Sequence, residues 1–299
     1  MAASEWSSEQ LITLCQRGDQ EQLLSVLQQP SAIQVVLGFE EVVFDSSNPT
    51  MTLRQLNLQR MITAASSHQN VGVVEELISF GRQHDVAADV MLTTETIYAA
   101  MNKSAFQILR SFETLDPNIF TRGLSPGQTI LELACQGGPL SEPFPCNSYL
   151  PLVQYMMDKG VDPNNEIASS KGPGYVLLLA CRSASVEIVE CLLEHGVVVA
   201  GSRATRTAAR HSRKDVLKIL LRYGADLNEC YSTEDINGSP GTALHVATEN
   251  NKVSTVRWLL EHKADPTIRN SEGKTARDLI PEPTSIPERS YKALRDLLH

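Results

Sequence analysis

An internal repeat constrains this chain more than any other feature. Gly241-Thr-Ala-Leu-His-Val-Ala-Thr248 is followed by Val256-Arg-Trp-Leu-Leu-Glu-His-Lys-Ala-Asp-Pro266. Ala208-Ala209 is followed by Val216-Leu-Lys-Ile-Leu-Leu-Arg-Tyr-Gly-Ala-Asp-Leu-Asn228, and Ala180-Cys181 by Ile188-Val-Glu-Cys-Leu-Leu-Glu-His-Gly196. A small residue stands the same distance ahead of the last leucine in each segment: 180 to 193, 208 to 221 and 247 to 260. Self-similarity of this kind marks stacked supersecondary units, none of which buries its apolar face alone.

Each unit reads as two helices. The small pair lets a short first helix pack closely on its neighbour. The second helix carries apolar residues at helical spacing, as in Val189, Leu192 and Leu193, or Val216, Ile219 and Leu220. Gly160, Gly196 and Gly224 follow second helices where a left-handed residue ends a helix. Asp162-Pro-Asn164 and Asp226-Leu-Asn228 then lead into a turn. Weaker units extend toward the N-terminus: Arg60–Ala65 with Val74–Gly81, Thr96–Ala100 with Phe106–Arg110, and Leu11–Asp19 with Leu23–Leu27.

The pattern resembles the ankyrin repeat. Gly241-Thr-Ala-Leu-His245 matches its opening with Ala in place of Pro, and Gly127-Gln-Thr-Ile-Leu-Glu-Leu-Ala134 matches with Glu at the His position. Gly273-Lys-Thr-Ala-Arg-Asp-Leu279 opens a last, partial unit. The resemblance implies an all-α solenoid of stacked helix-turn-helix units with short β-hairpin loops, a single ankyrin-repeat domain over 1–299. Within it, 1–57 would hold a capping unit and an insertion, 58–126 degenerate repeats, 127–280 clearer repeats and 281–299 a capping helix. It also implies a non-enzymatic interaction module and gives His245 the work of tying its helix to the preceding hairpin.

Three insertions break the period. Residues 29–57 exceed a normal connection, and Val35–Phe39 and Val42–Phe44 read as short strands or as an extended cover. Residues 137–147 form a Pro-rich loop between two helices, and 229–238 an extended finger. They read either as tolerated surface insertions or as partner-contacting loops.

Composition removes several classes. At 42% hydrophobic and 20% charged the chain is too apolar for disorder. It has no apolar run of membrane-spanning length, and its acidic N-terminus does not read as a secretory signal. A cytoplasmic or nuclear location and reduced cysteines are therefore expected. Cys15, Cys135 and Cys181 share one repeat position and read as small buried side chains. No metal or cofactor motif is present, so none is expected.

Charge is unevenly placed. Residues 1–150 hold 16 acids and 7 bases, and 151–299 hold 19 of each. Residues 203–222 hold seven bases (Arg203, Arg206, Arg210, Arg213, Lys214, Lys218, Arg222) against Asp215, a net of +6. Arg182, Arg206, Arg210 and His211 are assigned to first helices and their exits, with Lys214, Lys218 and Arg222 facing outward. Arginine's planar fork suits carboxylates, so an acidic protein segment is the expected partner, and nucleic acid is not. The expected contacts are Arg182, Arg206, Arg210, His211, Tyr231, Glu249 and Asn250. The alternative is a small-molecule or catalytic groove, since Glu132, Arg206, His245 and Asp278 occupy one repeat position in different units.

Overall fold

The computed structural model describes residues 6–45, 48–101, 106–124, 127–137, 149–164, 172, 174–232 and 240–299, with the side chains of 41–54 excepted. The described residues fall into two compact units, 6–130 and 131–299.

The first unit opens with α1 (Ser8–Arg17), α2 (Gln20–Leu27) and α3 (Pro30–Val36). An antiparallel hairpin follows, β1 (Phe39–Asp45) with β2 (Asn48–Leu56), in which Phe39 faces Leu56 and Val42 faces Leu53. Then come α4 (Asn57–Ser67), α5 (Val71–Gln83), α6 (Ala88–Met91), α7 (Thr94–Met101) and α8 (Phe106–Glu113). First helices pack on first helices, α1 on α4 and α4 on α7, while α2 packs on α5 and α5 on α8. These helices are too short to be stable alone in water, so packing holds them. Ala65 and Ala100, both fully buried, let the inner row close up. Thr63 Oγ1 lies 2.9 Å from Thr96 Oγ1, a polar link between α4 and α7.

The insertion at 29–57 is a helix and a hairpin. The strand expected at Val35 begins only at Phe39, because Pro30 starts a helical turn and Ala32 and Val36 are buried together at a four-residue spacing. The hairpin's start is pinned to the inner helices. Ser8 Oγ donates to Glu40 at 2.6 Å, and Arg60 bridges Glu40 and Glu9, each at 2.5 Å. These bonds hold the Glu40 carboxyl below its usual range, the Ser8 hydroxyl most and then Arg60.

Helix α9 (Ile130–Gln136) begins at the boundary. The second unit continues with α10 (Leu150–Asp158), α11 (Tyr175–Ser183), α12 (Val186–Glu194), α13 (Ala204–Arg210), α14 (Lys214–Arg222), α15 (Ala243–Glu249) and α16 (Val253–Glu261). A 3₁₀ turn at Arg277–Leu279 and α17 (Glu288–Leu297) end it. The inner row is α11, α13 and α15, and the outer row α10, α12 and α14. Ala180, Ala208, Ala209 and Ala247 are fully buried, as the small-pair argument requires.

The turns after the outer helices are built from Asp and Asn. Asp162 accepts from the Asn164 amide and Asp226 from the Asn228 amide, both at 2.8 Å. The same asparagines tie consecutive repeats together. Asn164 Oδ1 accepts from Val198 N and Asn228 Oδ1 from Asp265 N, again at 2.8 Å. The Pro-rich loop at 138–148 and the finger's tip at 233–239 lie outside the described residues. The finger's base is closed by Tyr231 and Gly241, which exchange backbone hydrogen bonds of 3.3 and 2.8 Å.

Candidate interaction surface

The basic segment divides between two faces, as the sequence pattern requires. On α14, Lys218 and Arg222 are exposed, and Arg222 pairs with Glu190 of α12 at 2.7 Å. Such an exposed pair contributes little to stability. Lys214 begins the same helix, preceded by Arg213. Arg213 reaches back to the preceding repeat and donates to the Ala184 carbonyl at 2.8 Å, with Asp215 3.4 Å away.

On the inner side, Arg182 ends α11 and Arg210 ends α13, at the same repeat position. Both are exposed, as is His211, the residue that follows. Lys252 precedes α16, where Arg213 stands in the previous repeat. These groups converge electrostatically on His211. Burial lowers its pKa first, and the charges of Arg182, Arg210, Lys252 and Arg213 lower it further. These charges, contributed by three successive repeats, all disfavour the protonated imidazole. Among the described residues, Arg213 and Arg222 have carboxylate partners, whereas Arg182, Arg210 and Lys252 have none. Glu249 and Asn250 occupy the matching exit of α15, with Asn250 exposed. Glu249's charge acts on Arg206 and on Lys274.

Two of the expected contacts lie inside. Arg206 is 7% exposed and Tyr231 also 7%. The guanidinium carbon stands 6.0 Å from the centre of the Tyr231 ring, and the Tyr231 hydroxyl accepts from Arg203 N at 3.1 Å. Burial pulls the Arg206 pKa down to about 10, with Arg210 adding to the effect. Burial likewise pushes the Tyr231 phenol up. A partner therefore meets neither side chain directly. Together they support the surface from below. The sequence could not separate Arg206 from Arg210, four residues apart on one helix, because the neighbouring finger supplies the tyrosine that covers only the first.

The alternative constellation has structural work at its ends. His245 Nδ1 accepts from Thr242 N at 3.2 Å and lies 2.9 Å from Thr242 Oγ1, while Nε2 donates to the Lys274 carbonyl at 3.1 Å. Both ring nitrogens are engaged and the ring is 1% exposed; the Lys274 bond ties the helix forward to the following repeat, where the family resemblance implies a tie to the preceding hairpin. Gly241, at φ 120°, is needed there, because a Cβ would come within 2.6 Å of the His245 ring. Asp278 accepts from the amide and hydroxyl of Thr275, each at 2.9 Å, which holds its carboxyl below its usual range. Arg206 and Asp278 each stand within electrostatic reach of His245. Glu132 is buried on α9 beside Cys135.

The cysteines of the shared repeat position are all buried. Desolvation raises the thiol pKa of Cys15 and of Cys181 to about 12, and that of Cys135 as well. The described cysteines are unbridged thiols, and Cys230 is exposed. Cys146 lies outside the described residues. Among the described residues no group of three His, Cys, Asp or Glu is placed to hold a metal, and no helix is long and apolar enough to cross a membrane.

Paired short helices, Asx turns and a Thr-x-x-His capping box define a class of stacked helical repeat. The family model for ankyrin repeats matches residues 144–231 and 208–278. The chain carries ankyrin repeats over residues 144–278. It is 31% identical over 158 residues to the rice BTB/POZ domain and ankyrin repeat-containing protein NH5.2, a match covering 51% of this chain and 28% of that one. It is 32% identical over 135 residues to the putative ankyrin repeat protein FPV031 of fowlpox virus, covering 42% and 37%. It is 34% identical over 111 residues to the CAP-Gly domain-containing linker protein 3 of Mus musculus, covering 35% and 20%. The matched region thus spans well under half the length of these relatives.

Proposed function

We propose that this chain is a non-enzymatic protein-binding module whose second unit recognises an acidic segment through the exits of its inner helices. The contacts are Arg182, Arg210 and His211, with Glu249 and Asn250 at the edge and Arg206 and Tyr231 beneath. One observation carries the reading: Arg182, Arg210 and Lys252 stand at helix ends in three successive repeats, and no described carboxylate pairs with them. Ankyrin repeats generally serve as interaction surfaces, which supports it. The names of the rice and fowlpox relatives mention ankyrin repeats, and a scaffolding role in a cytoplasmic or nuclear setting belongs to the same reading.

Charge reversal tests it. Arg182→Glu with Arg210→Glu alters two exposed side chains and leaves buried Arg206 in place. The double variant is expected to melt as the parent does and to lose the proteins that the parent captures from a native lysate. Capture unchanged by the double variant overturns the assignment.

A further inference from the structure

The arrangement around His211 is more demanding than general attraction for acid. Arg182 belongs to α11, Arg210 and His211 to α13 and its cap, and Lys252 to the cap of α16. Helix α11 packs on α13, and α13 on α15, which leads directly into α16. Neighbouring helices lie about 8–10 Å apart, so Arg182 and Arg210, at matching exits, reach a common point between α11 and α13, and Lys252 stands one repeat further on at the cap that Arg213 occupies in its own repeat. The charges of Arg182, Arg210, Lys252 and Arg213 all act on His211, and among these four Arg213 is shared with an acid, Asp215, while Glu249 stands at the matching exit of α15.

A single carboxylate fits this cluster poorly. It carries one charge and two coplanar oxygens, which one arginine fork satisfies. Three unpaired cations from separate elements fit a group with more charge and with acceptors pointing in several directions. A phosphorylated side chain has about −1.5 to −2 charge near neutral pH and three strong acceptor oxygens. Nucleic acid fits less well, because it requires a longer basic track than one flanked by Glu249 on a chain of net charge −9.

We infer that the surface formed by Arg182, Arg210, His211 and Lys252 receives a phosphorylated side chain of a partner polypeptide. This rests on the protein-binding reading above and narrows it. The two arginines and the lysine hold the phosphate oxygens, and the imidazole completes the shell. An arriving dianion favours the protonated ring, so binding and His211 protonation reinforce each other.

The test uses the full chain and a seven-residue Gly/Ser peptide with phosphoserine, serine or glutamate at its centre, alongside inorganic phosphate and a short single-stranded oligonucleotide. The phosphoserine peptide is expected to bind saturably, about tenfold or more tighter than the glutamate peptide. It should raise the NMR titration midpoint of the His211 ring. Arg182→Gln with Arg210→Gln, and separately Lys252→Gln, should each weaken binding about tenfold while leaving the melting temperature unchanged. Equal binding of the phosphoserine and glutamate peptides overturns the inference, as does a His211 titration that the peptide leaves unmoved. Tighter binding of the oligonucleotide than of the phosphopeptide also overturns it. Lysate capture sensitive to charge reversal, combined with equal peptide affinities, would leave the broader reading standing and remove only this one. Insensitive capture would remove the broader reading itself.

Discussion

His245 and Lys274 are joined across two repeats: the imidazole Nε2 donates to the Lys274 carbonyl at 3.1 Å, while Nδ1 accepts from Thr242. The bond fixes the neutral tautomer and ties α15 to the hairpin of the next repeat. His245→Ala leaves that carbonyl and the Thr242 amide without this partner at a buried site. A loss of about 2–3 kcal/mol is expected, read by urea denaturation.

The same histidine sets a pH dependence. Burial lowers its folded pKa below the ordinary value. The proton therefore binds the unfolded chain more readily. The stability contributed by the neutral ring is complete above about pH 6.5, the unfolded value, and is lost as pH falls through the lower folded value. His211 acts in the same direction. Melting temperature should fall between neutral pH and pH 5, and His245→Gln should flatten that fall. A parent melting temperature constant over this window contradicts the assignment.

Asn228 carries a bond between repeats, accepting from Asp265 N while its own amide rests on Asp226. Asn228→Ala should cost about 1–2 kcal/mol. The unit between Asn164 and Asn228 has Val198 and Ala200 at the corresponding turn positions, so the Ala200→Ser variant, which removes no such bond, should change stability by less than about 0.5 kcal/mol. Equal losses in the two variants would contradict this account.

The link between inner and outer helices passes through a left-handed residue that is not glycine at Gln69 (φ 61°), Ser212 (φ 58°) and Asn251 (φ 54°). Gly18 fills the corresponding place in the first repeat, against Asn70, where a Cβ would come within 2.8 Å of the Asn70 oxygen. Gln69→Gly relieves a left-handed conformation that costs about 1–2 kcal/mol but increases the freedom of the unfolded chain, an opposing effect of about 0.5–1 kcal/mol. A net gain of about 0.5 kcal/mol is expected, read from the denaturation midpoint.

Thiol labelling should follow burial. Cys15, Cys135, Cys181 and Cys191 are enclosed and their thiols are held protonated, whereas Cys230 is exposed. In native protein a thiol reagent should modify Cys230 well before those four, and denaturant should bring them to comparable rates. Fast native labelling of Cys181 would contradict its placement in the core.

By itself the sequence determined the repeat and therefore the fold class. The small pairs, the leucine spacing and the Asp-x-Asn turns are local patterns, and each specifies a short helix or turn without reference to distant residues. It also carried the placement of Cys15, Cys135 and Cys181, since a position shared across repeats has one environment. It showed that 29–57 departed from the period, but not that Pro30 opens a helix there and that Ser8 and Arg60 hold the following hairpin through Glu40. Only the tertiary structure separated Arg206 from Arg210. The difference lies in Tyr231, which a finger twenty-five residues downstream brings over one guanidinium and not the other. Likewise, the joint effect of Arg182, Arg210 and Lys252 on His211 depends on the stacking of one repeat against the next. Periodicity reports which face a side chain takes, whereas burial and electrostatic neighbours are properties of packed repeats.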